Sequence, residues 1–186
     1  MTTAAVVLAA GGGARFAARG HKLRAPFRGR PLASWAIEAA VAAGLADVIV
    51  VWGAVDLSDL LPDGAVAVEN TRWAEGQATS LQAGIEEAGR RGHTAVVVGL
   101  ADQPLIPPAA WIRVTGAAGG PIVVATYAGR RGHPVRLDAE VWPLLPTDGD
   151  EGARGLMRGR PELVVEVACA GEPADMDTAE DVARWS

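Results

Sequence analysis

The chain has 186 residues and a formal net charge of −5. This length suits a single α/β domain over residues 1–186, and the charge excludes the basic footprint of a nucleic-acid-binding protein. One cysteine, Cys169, excludes an intrachain disulfide and favours a reducing compartment. No apolar run is long enough for a bilayer, and the first residues do not resemble a signal peptide. We therefore expect a cytoplasmic protein with no nucleic-acid or membrane partner.

Apolar, β-branched runs alternate with helical patterns along most of the chain. This alternation predicts a Rossmann-like, three-layer α/β domain with a mostly parallel, mixed sheet. The predicted strands are Val6–Ala10, Asp47–Trp52, Ala65–Glu69, Thr94–Leu100, Pro121–Thr126, His133–Leu137 and Leu163–Ala168. The predicted helices are Pro31–Ala43, Asp56–Leu61, one ending near Gly92, Pro107–Ala117, Asp138–Leu145, one opened by Gly149–Arg154, and one from the Thr178–Asp181 capping box to Trp185. The strand at 133–137 follows a turn and is expected to run antiparallel.

The first predicted strand ends in a glycine loop followed by two cations. Gly11, Gly12 and Gly13 are consecutive, and Arg15 and Lys22 come just after them. Glycines allow a ligand to approach the backbone closely, and successive N–H groups in such a turn form an anion site. The stretch therefore suits the phosphates of a nucleotide, although a tight strand–helix turn with two solvated cations would look the same.

Two common phosphate-binding motifs do not fit this loop. A dinucleotide fingerprint needs a small residue where Phe16 stands, and an acid at the end of the second strand, where the chain has Val50–Gly53. A P-loop needs Gly-Lys followed by Ser or Thr, but His21 precedes the lysine and Leu23 replaces the hydroxyl residue. If the loop binds phosphate, it is therefore predicted to do so by a pattern that differs from both of these motifs.

Asp102 is the strongest single candidate for chemistry. It directly follows Thr94–Leu100, a run expected to be a central, buried strand. Ligands of open α/β sheets bind outside the carboxyl ends of the strands, where the glycine loop also lies. A carboxylate facing phosphates needs an intervening cation, and Mg²⁺ is typically held by one or two carboxylates plus substrate phosphates. We therefore predict that Asp102 binds Mg²⁺.

Several other polar residues have either a functional or a purely structural interpretation. Asp177 is a candidate second metal ligand, with Asp175 as its competitor, and either could be a solvated turn residue. Ser80 and Thr79 lie in the first turn of a predicted helix, where their hydroxyls either face a ligand or cap the helix. His133 shares no ligand spacing with the other histidines, so a zinc site is not expected.

Six short motifs resemble those of the MobA-like nucleotidyltransferases, within the nucleotide-diphospho-sugar transferase superfamily, and cover nearly the whole chain. The matching segments are Leu8–Gly11 with Arg15 and Lys22, Trp73–Gly76 with Ser80-Leu81, Ala101–Pro104, Gly132–Val135, Gly149–Arg154, and Asp177–Asp181. The branch that the chain resembles most is the molybdenum cofactor cytidylyltransferases. Ala10 favours that branch, because guanylyltransferases usually carry a glycine there.

The resemblance implies a role for each motif. The residues that it implies for nucleotide binding are Leu8, Ala9, Ala10, Gly11, Gly12, Gly13, Arg15, Lys22, Ser80 and Asp102. The residues that it implies on the acceptor side are Gln103, Pro104, Gly132, His133, Asp150 and Arg154. Lys22, Arg15 and Asp102 are the implied catalytic residues, and Mg²⁺ is expected on Asp102 with Asp177 as the second carboxylate.

The implied reaction transfers CMP from CTP to the terminal phosphate of the molybdenum–molybdopterin cofactor and releases pyrophosphate. A molybdoenzyme that receives the cofactor is a possible partner. Three alternatives stay open: guanylyl transfer to the same cofactor, nucleotidyl transfer to a sugar or polyol phosphate, and a non-catalytic chaperone for the cofactor. The spacing between Arg15 and Lys22 exceeds that of the usual family motif. The longer spacing raises the question of whether the Lys22 side chain reaches the phosphates.

Overall fold

The computed structural model describes residues 2–16 and 20–186. The strands are β1 Thr3–Ala9, β2 Pro26–Phe27, β3 Arg30–Pro31, β4 Asp47–Trp52, β5 Val66–Glu69, β6 Ala95–Leu100, β7 Ile122–Tyr127, β8 Arg130–Asp138 and β9 Val164–Ala168. The helices are α1 Leu32–Ala42, α2 Gln77–Arg90, α3 Pro108–Gly116, α4 Ala153–Gly159 and α5 Ala179–Trp185. Short 3₁₀ helices occupy Lys22–Arg24, Ser58–Leu60, Trp73–Glu75, Ala139–Leu144 and Pro161–Leu163. None of the helices in the described ranges is long and apolar enough to cross a membrane.

Seven strands of the described chain form one mixed sheet in the order β5-β4-β1-β6-β8-β7-β9. Strand β8 runs antiparallel to both β6 and β7, whereas the other neighbouring pairs are parallel. The predicted mixed α/β sheet with an antiparallel segment at 133–137 is therefore confirmed. In the central pair, Leu8 of β1 lies opposite Leu100 of β6, so the glycine loop and the Asp102 turn leave the sheet side by side.

Strand β1 is buried on both faces, which explains its nearly continuous apolar sequence. Ala5 and Val7 belong to the core cluster that includes residues of α1 and α3, and Val6 and Leu8 belong to the cluster that includes residues of α2. This alternation follows from the two-residue repeat of a strand. Helix α2 approaches closely because Gly84 carries no side chain, and a Cβ there would lie 2.5 Å from Val6 Cγ1.

Several local predictions differ from the structure in length or type. Strand β8 begins at Arg130, earlier than predicted, because a two-residue turn with Ala128 and Gly129 at positive φ pairs it with β7 from the start. The segments predicted as helices at 56–61 and 138–145 are 3₁₀ helices. A small β2–β3 hairpin was not predicted. At the C-terminal end, the capping box is confirmed: Thr178 Oγ1 accepts from the Asp181 N–H at 3.1 Å.

Candidate active site

Four charged side chains meet where β1 and β6 end. Lys22 Nζ lies 2.7 Å from Asp102 Oδ2 and 2.9 Å from Asp177 Oδ1. The other oxygen of Asp177 is 2.7 Å from an Arg15 guanidinium nitrogen. The Lys22 side chain is 10% exposed, whereas that of Arg15 is 75% exposed. The structure therefore brings together the three residues predicted to be catalytic and the predicted second carboxylate. Lys22 contacts both carboxylates although the segment between Arg15 and Lys22 is longer than in the usual family motif.

Backbone hydrogen bonds place the two carboxylates. The Ala101 N–H donates to the Leu8 carbonyl at 3.0 Å, which holds the turn after β6 against the end of β1. The Met176 N–H donates to the Asp102 carbonyl at 2.9 Å, and the Met176 side chain is fully buried in the core. Asp177 is consequently fixed beside Asp102 although 75 positions separate them in sequence. Met176 was not identified from the sequence, because a single apolar residue in an acidic segment does not form a recognisable motif.

The electrostatics of the cluster keep Lys22 charged. Burial opposes the ammonium charge, but the charges and hydrogen bonds of Asp102 and Asp177 outweigh burial and raise the pKa of Lys22 above its usual 10.5. Lys22 is also the only lysine in the sequence. Burial, together with the charges of Asp102 and Asp177, raises the pKa of Asp175, although a hydrogen bond of 2.8 Å from Gln103 Nε2 works in the opposite direction.

The two carboxylates fit a divalent cation. Lys22 Nζ contacts Asp102 Oδ2 at 2.7 Å and Asp177 Oδ1 at 2.9 Å, so the two carboxylates lie close enough together for one metal ion to bind both, beside the Lys22 ammonium. In the described ranges there is no group of three or more His, Cys, Asp or Glu that could hold a metal. A pair of carboxylates is nevertheless what Mg²⁺ takes from proteins when phosphates and water complete its shell. Asp102 and Asp177 are the residues that would hold it.

The glycine loop packs directly against neighbouring elements. Gly13 has a φ of +62°, and a Cβ there would lie 3.2 Å from Lys22 Cγ. A Cβ on Gly12 would lie 3.0 Å from the Trp73 ring, whereas one on Gly11 would meet no atom of residues 2–16 and 20–186 within 4 Å. Among these residues, Gly11 therefore borders open space at the sheet edge, and the other two glycines permit close packing. The backbone of the loop is accessible to a ligand on the Gly11 side.

The Ser80 hydroxyl is hydrogen-bonded to the buried side chain of Asn70. Ser80 is buried, and its hydroxyl lies 2.9 Å from Asn70 Nδ2, which also donates to Thr79 Oγ1 at 2.9 Å. Ser80 does not line the cleft described below. Asn70, which organises both hydroxyls and accepts from the Arg72 N–H, was missed in the sequence because an asparagine after a strand resembles an ordinary turn residue.

Two of the predicted motifs are joined through their backbones. The Gly149 N–H donates to the Glu75 carbonyl at 3.1 Å, and the Ala78 N–H donates to the Gly149 carbonyl at 2.9 Å. Gly76 is required here, because a Cβ on it would lie 2.4 Å from Gly149 backbone atoms. Asp150, predicted on the acceptor side, accepts weakly from the Gln77 N–H at 3.4 Å, at the start of α2. This contact between segments far apart in sequence was not predicted.

A cleft of about 980 Å³ opens beside the charged cluster, over β6, β8 and β7. Of the residues predicted to bind nucleotide, Leu8, Arg15 and Asp102 line it. Of those predicted on the acceptor side, it is lined by Gln103, Gly132, His133 and Arg154, whereas Pro104 is buried and Asp150 lies outside the lining. Its further cationic residues are Arg130, Arg131 and Arg158. The lining also contains Glu151, which pairs with Arg158 at 2.6 Å, and Glu172, so the cleft combines basic and acidic side chains.

His133 and Cys169 lie in the wall of this cleft in their uncharged forms. Burial lowers the pKa of His133 to about 4, and the nearby charge of Asp102 offsets this only in part. Its carbonyl accepts from Tyr127 Oη at 2.7 Å. Burial also raises the pKa of the Cys169 thiol. At neutral pH neither side chain therefore adds charge to the cleft.

The chain is similar to several known proteins. Residues 5–166 match the family described as the MobA-like NTP transferase domain. Nicotine blue oxidoreductase of Paenarthrobacter nicotinovorans is 34% identical, over 96% of this chain and 94% of its own. A nucleotidyl transferase from Methanothermobacter has a TM-score of 0.84 at 23% identity, covering 98% of this chain and 95% of that one, which shows the shared nucleotide-diphospho-sugar transferase fold.

The crystal structure of Rv0371c from Mycobacterium tuberculosis H37Rv is also similar, with a TM-score of 0.84 at 30% identity over 99% of this chain and 96% of that one. A second structure of Rv0371c, in complex with manganese, has a TM-score of 0.78 at 29% identity over 100% and 98% of the two chains. A similar protein has thus been crystallised with a divalent metal. The match over residues 5–166, together with the 34% identical relative, shows that this chain belongs to the family of MobA-like NTP transferases.

Proposed function

We propose that this chain transfers CMP from CTP to the terminal phosphate of the molybdenum–molybdopterin cofactor. An oxygen of the acceptor phosphate attacks the α-phosphorus of CTP, the bond from that phosphorus to the bridging β-oxygen breaks, and pyrophosphate leaves. The observation that carries nucleotidyl transfer is the convergence of Lys22, Asp102, Asp177 and Arg15 beside the glycine loop. Catalysis of such reactions is mostly positioning and charge stabilisation.

Each residue of the cluster has a distinct task in this proposal. Lys22, held in its charged form, and Arg15 neutralise the triphosphate and the charge that develops on the leaving pyrophosphate. Asp102 and Asp177 would hold Mg²⁺, which supplies further neutralisation of the phosphates when it is bound. The open space at Gly11 leaves the loop backbone free to contact a phosphate.

The cleft supports the acceptor side of the proposal. Arg130, Arg131, Arg154 and Arg158 face a volume of about 980 Å³ that adjoins Asp102, which suits a phosphorylated small molecule. The choice of CTP and of the molybdenum cofactor comes from the resemblance, above all from Ala10 in the first motif. Delivery of the product to a molybdoenzyme in the cytoplasm is part of the same proposal.

Pyrophosphate release tests this function. The purified protein is given each of the four nucleoside triphosphates with Mg²⁺, in the presence of molybdenum–molybdopterin or of a sugar or polyol phosphate. We expect release with CTP and the cofactor, and its loss in Asp102→Asn but not in the exposed control Asp63→Asn. Tight nucleotide binding without turnover would instead indicate a chaperone, and equal rates in wild type and Asp102→Asn would contradict the proposed role of the cluster.

The relative named nicotine blue oxidoreductase favours a second candidate, hydride transfer from a nicotinamide dinucleotide to a heteroaromatic acceptor. Strand β4 ends at Trp52 and is followed by Gly53, so the acid that usually binds the ribose 2′-hydroxyl in dinucleotide folds is missing from this position. We therefore rank this candidate second. Oxidation of NADH or NADPH with nicotine blue as the acceptor, followed by absorbance, separates hydride transfer from pyrophosphate release.

A further inference from the structure

His21 immediately precedes Lys22 and uses both of its ring nitrogens. Nε2 lies 2.9 Å from the carbonyl oxygen of Gly11, and Nδ1 accepts from the Leu23 N–H at 3.3 Å. The second contact caps the 3₁₀ helix Lys22–Arg24 at its first turn. One side chain therefore contacts the glycine loop with one nitrogen and the Lys22 turn with the other.

These partners fix the tautomer of the ring. A carbonyl oxygen can only accept, so Nε2 carries the hydrogen, and a backbone N–H can only donate, so Nδ1 is unprotonated. Burial and the positive charges of Lys22 and Arg24 lower the pKa of His21, and the Gly11 contact opposes this only in part. His21 is therefore neutral at pH 7, which is the form that this arrangement requires.

We propose that His21 is a positioning residue that fastens the Lys22 turn to the glycine loop and so holds the Lys22 ammonium between Asp102 and Asp177. The packing of Gly13 supports this, because a Cβ on it would lie 3.2 Å from Lys22 Cγ and 3.6 Å from His21 Nε2. The spacing between Arg15 and Lys22 is longer than in the usual family motif, and a contact that closes the segment back onto Gly11 compensates for that length. The assignment of a catalytic consequence rests on the proposed function.

The single lysine allows a test that needs no substrate. The rate at which acetic anhydride modifies Lys22 is measured by peptide mapping, which separates it from the α-amino group. In His21→Ala both contacts are lost, and we expect Lys22 to react about 10 to 30 times faster, as two hydrogen bonds of about ordinary strength imply. His21→Asn keeps an acceptor near the Leu23 N–H, and His21→Gln keeps a donor near Gly11, so both should fall between wild type and His21→Ala.

The control is His93→Ala. His93 Nε2 lies 2.8 Å from Asp47 Oδ2 at the start of β4, so its loss removes a histidine contact at the opposite end of the strands from Lys22. We expect Lys22 reactivity in this variant to be the same as in wild type. A rate in His21→Ala equal to that of wild type, or an equal rise in His93→Ala, would overturn the proposal. If His21→Ala does not fold, the Asn and Gln variants decide by the same criterion.

Turnover provides the second readout. Because Lys22 is proposed to stabilise the charge that develops in the transition state as well as the bound triphosphate, the His21 variants should lower kcat for pyrophosphate release, whether or not KM for CTP also rises. A raised KM with unchanged kcat would contradict the positioning role. The amine reactivity stands independently of turnover, so failure of the proposed reaction and failure of the His21 assignment are distinguishable.

Discussion

Replacing Lys22 by methionine removes the ammonium group between Asp102 and Asp177 but keeps a side chain of similar length. Wild type contains two cations, Lys22 and Arg15, against these two carboxylates. In the variant only Arg15 is left, and its side chain is 75% exposed. The carboxylates of Asp102 and Asp177, each about one-fifth exposed, would then repel each other with less positive charge nearby to offset the repulsion.

The cost follows from the two contacts that are lost. Hydrogen bonds between charged groups contribute about 1.5 to 3 kcal/mol each, and partial solvent access to both carboxylates reduces this, so we expect Lys22→Met to lower the free energy of unfolding by about 2 to 4 kcal/mol at pH 7. Arg15→Met removes an exposed ion pair and should cost less than about 1 kcal/mol. The difference between the two variants is the informative quantity, because both lose one positive charge.

The pH dependence has a definite sign. Since the pKa of Lys22 is raised in the folded state, its contribution to stability is complete below 10.5 and is lost as the pH rises through the folded-state value. Urea unfolding followed by tryptophan fluorescence measures these free energies. Equal penalties for Lys22→Met and Arg15→Met at pH 7 would refute the reasoning.

Three further outcomes are expected. Gly76→Ala should destabilise the protein by more than about 3 kcal/mol in urea unfolding, because the new Cβ meets Gly149 backbone at 2.4 Å and the φ of +116° is strained for alanine. Arg136→Met should cost about 3 kcal/mol, since its buried guanidinium pairs with a carboxylate and with three backbone carbonyls, while kcat of the folded fraction is unchanged. Asp102→Asn should lower the pKa of Lys22, measurable by NMR as the single lysine signal, and an unchanged pKa would show that the pair does not control it.

The sheet was predictable because its strands carry local signals. The β-branched runs of β1 and β6 are buried on both faces, and such strands read as continuous apolar segments. The antiparallel direction of β8 followed from the short connection to β7, which a parallel strand could not use. The exact start of β8 was missed because Arg130 and Arg131 resemble turn residues, whereas they pair with Tyr127 and Thr126 of β7.

The candidate site was predictable at Asp102 and less so elsewhere. Its position at the end of a central strand is a local property, so the sequence placed it correctly beside the glycine loop. The contacts that fix the remaining parts join residues that are not neighbours in sequence: His21 contacts Gly11, and Gly149 contacts Glu75. Such pairings depend on how loops fold over the sheet edge, and no spacing in the chain encodes them.

The hydrogen bond from Met176 to Asp102 has a consequence for how the site can be dismantled. It attaches the segment that carries Asp177 to the sheet after β9 has already ended at Ala168. A single proteolytic cut between Ala168 and Met176 would leave every strand of the sheet covalently intact, yet it would separate Asp177 from the covalent path to Lys22 and Asp102. After such a cut, Asp177 would stay beside Lys22 only through noncovalent contacts, chiefly the buried Met176 side chain and its backbone hydrogen bond to Asp102.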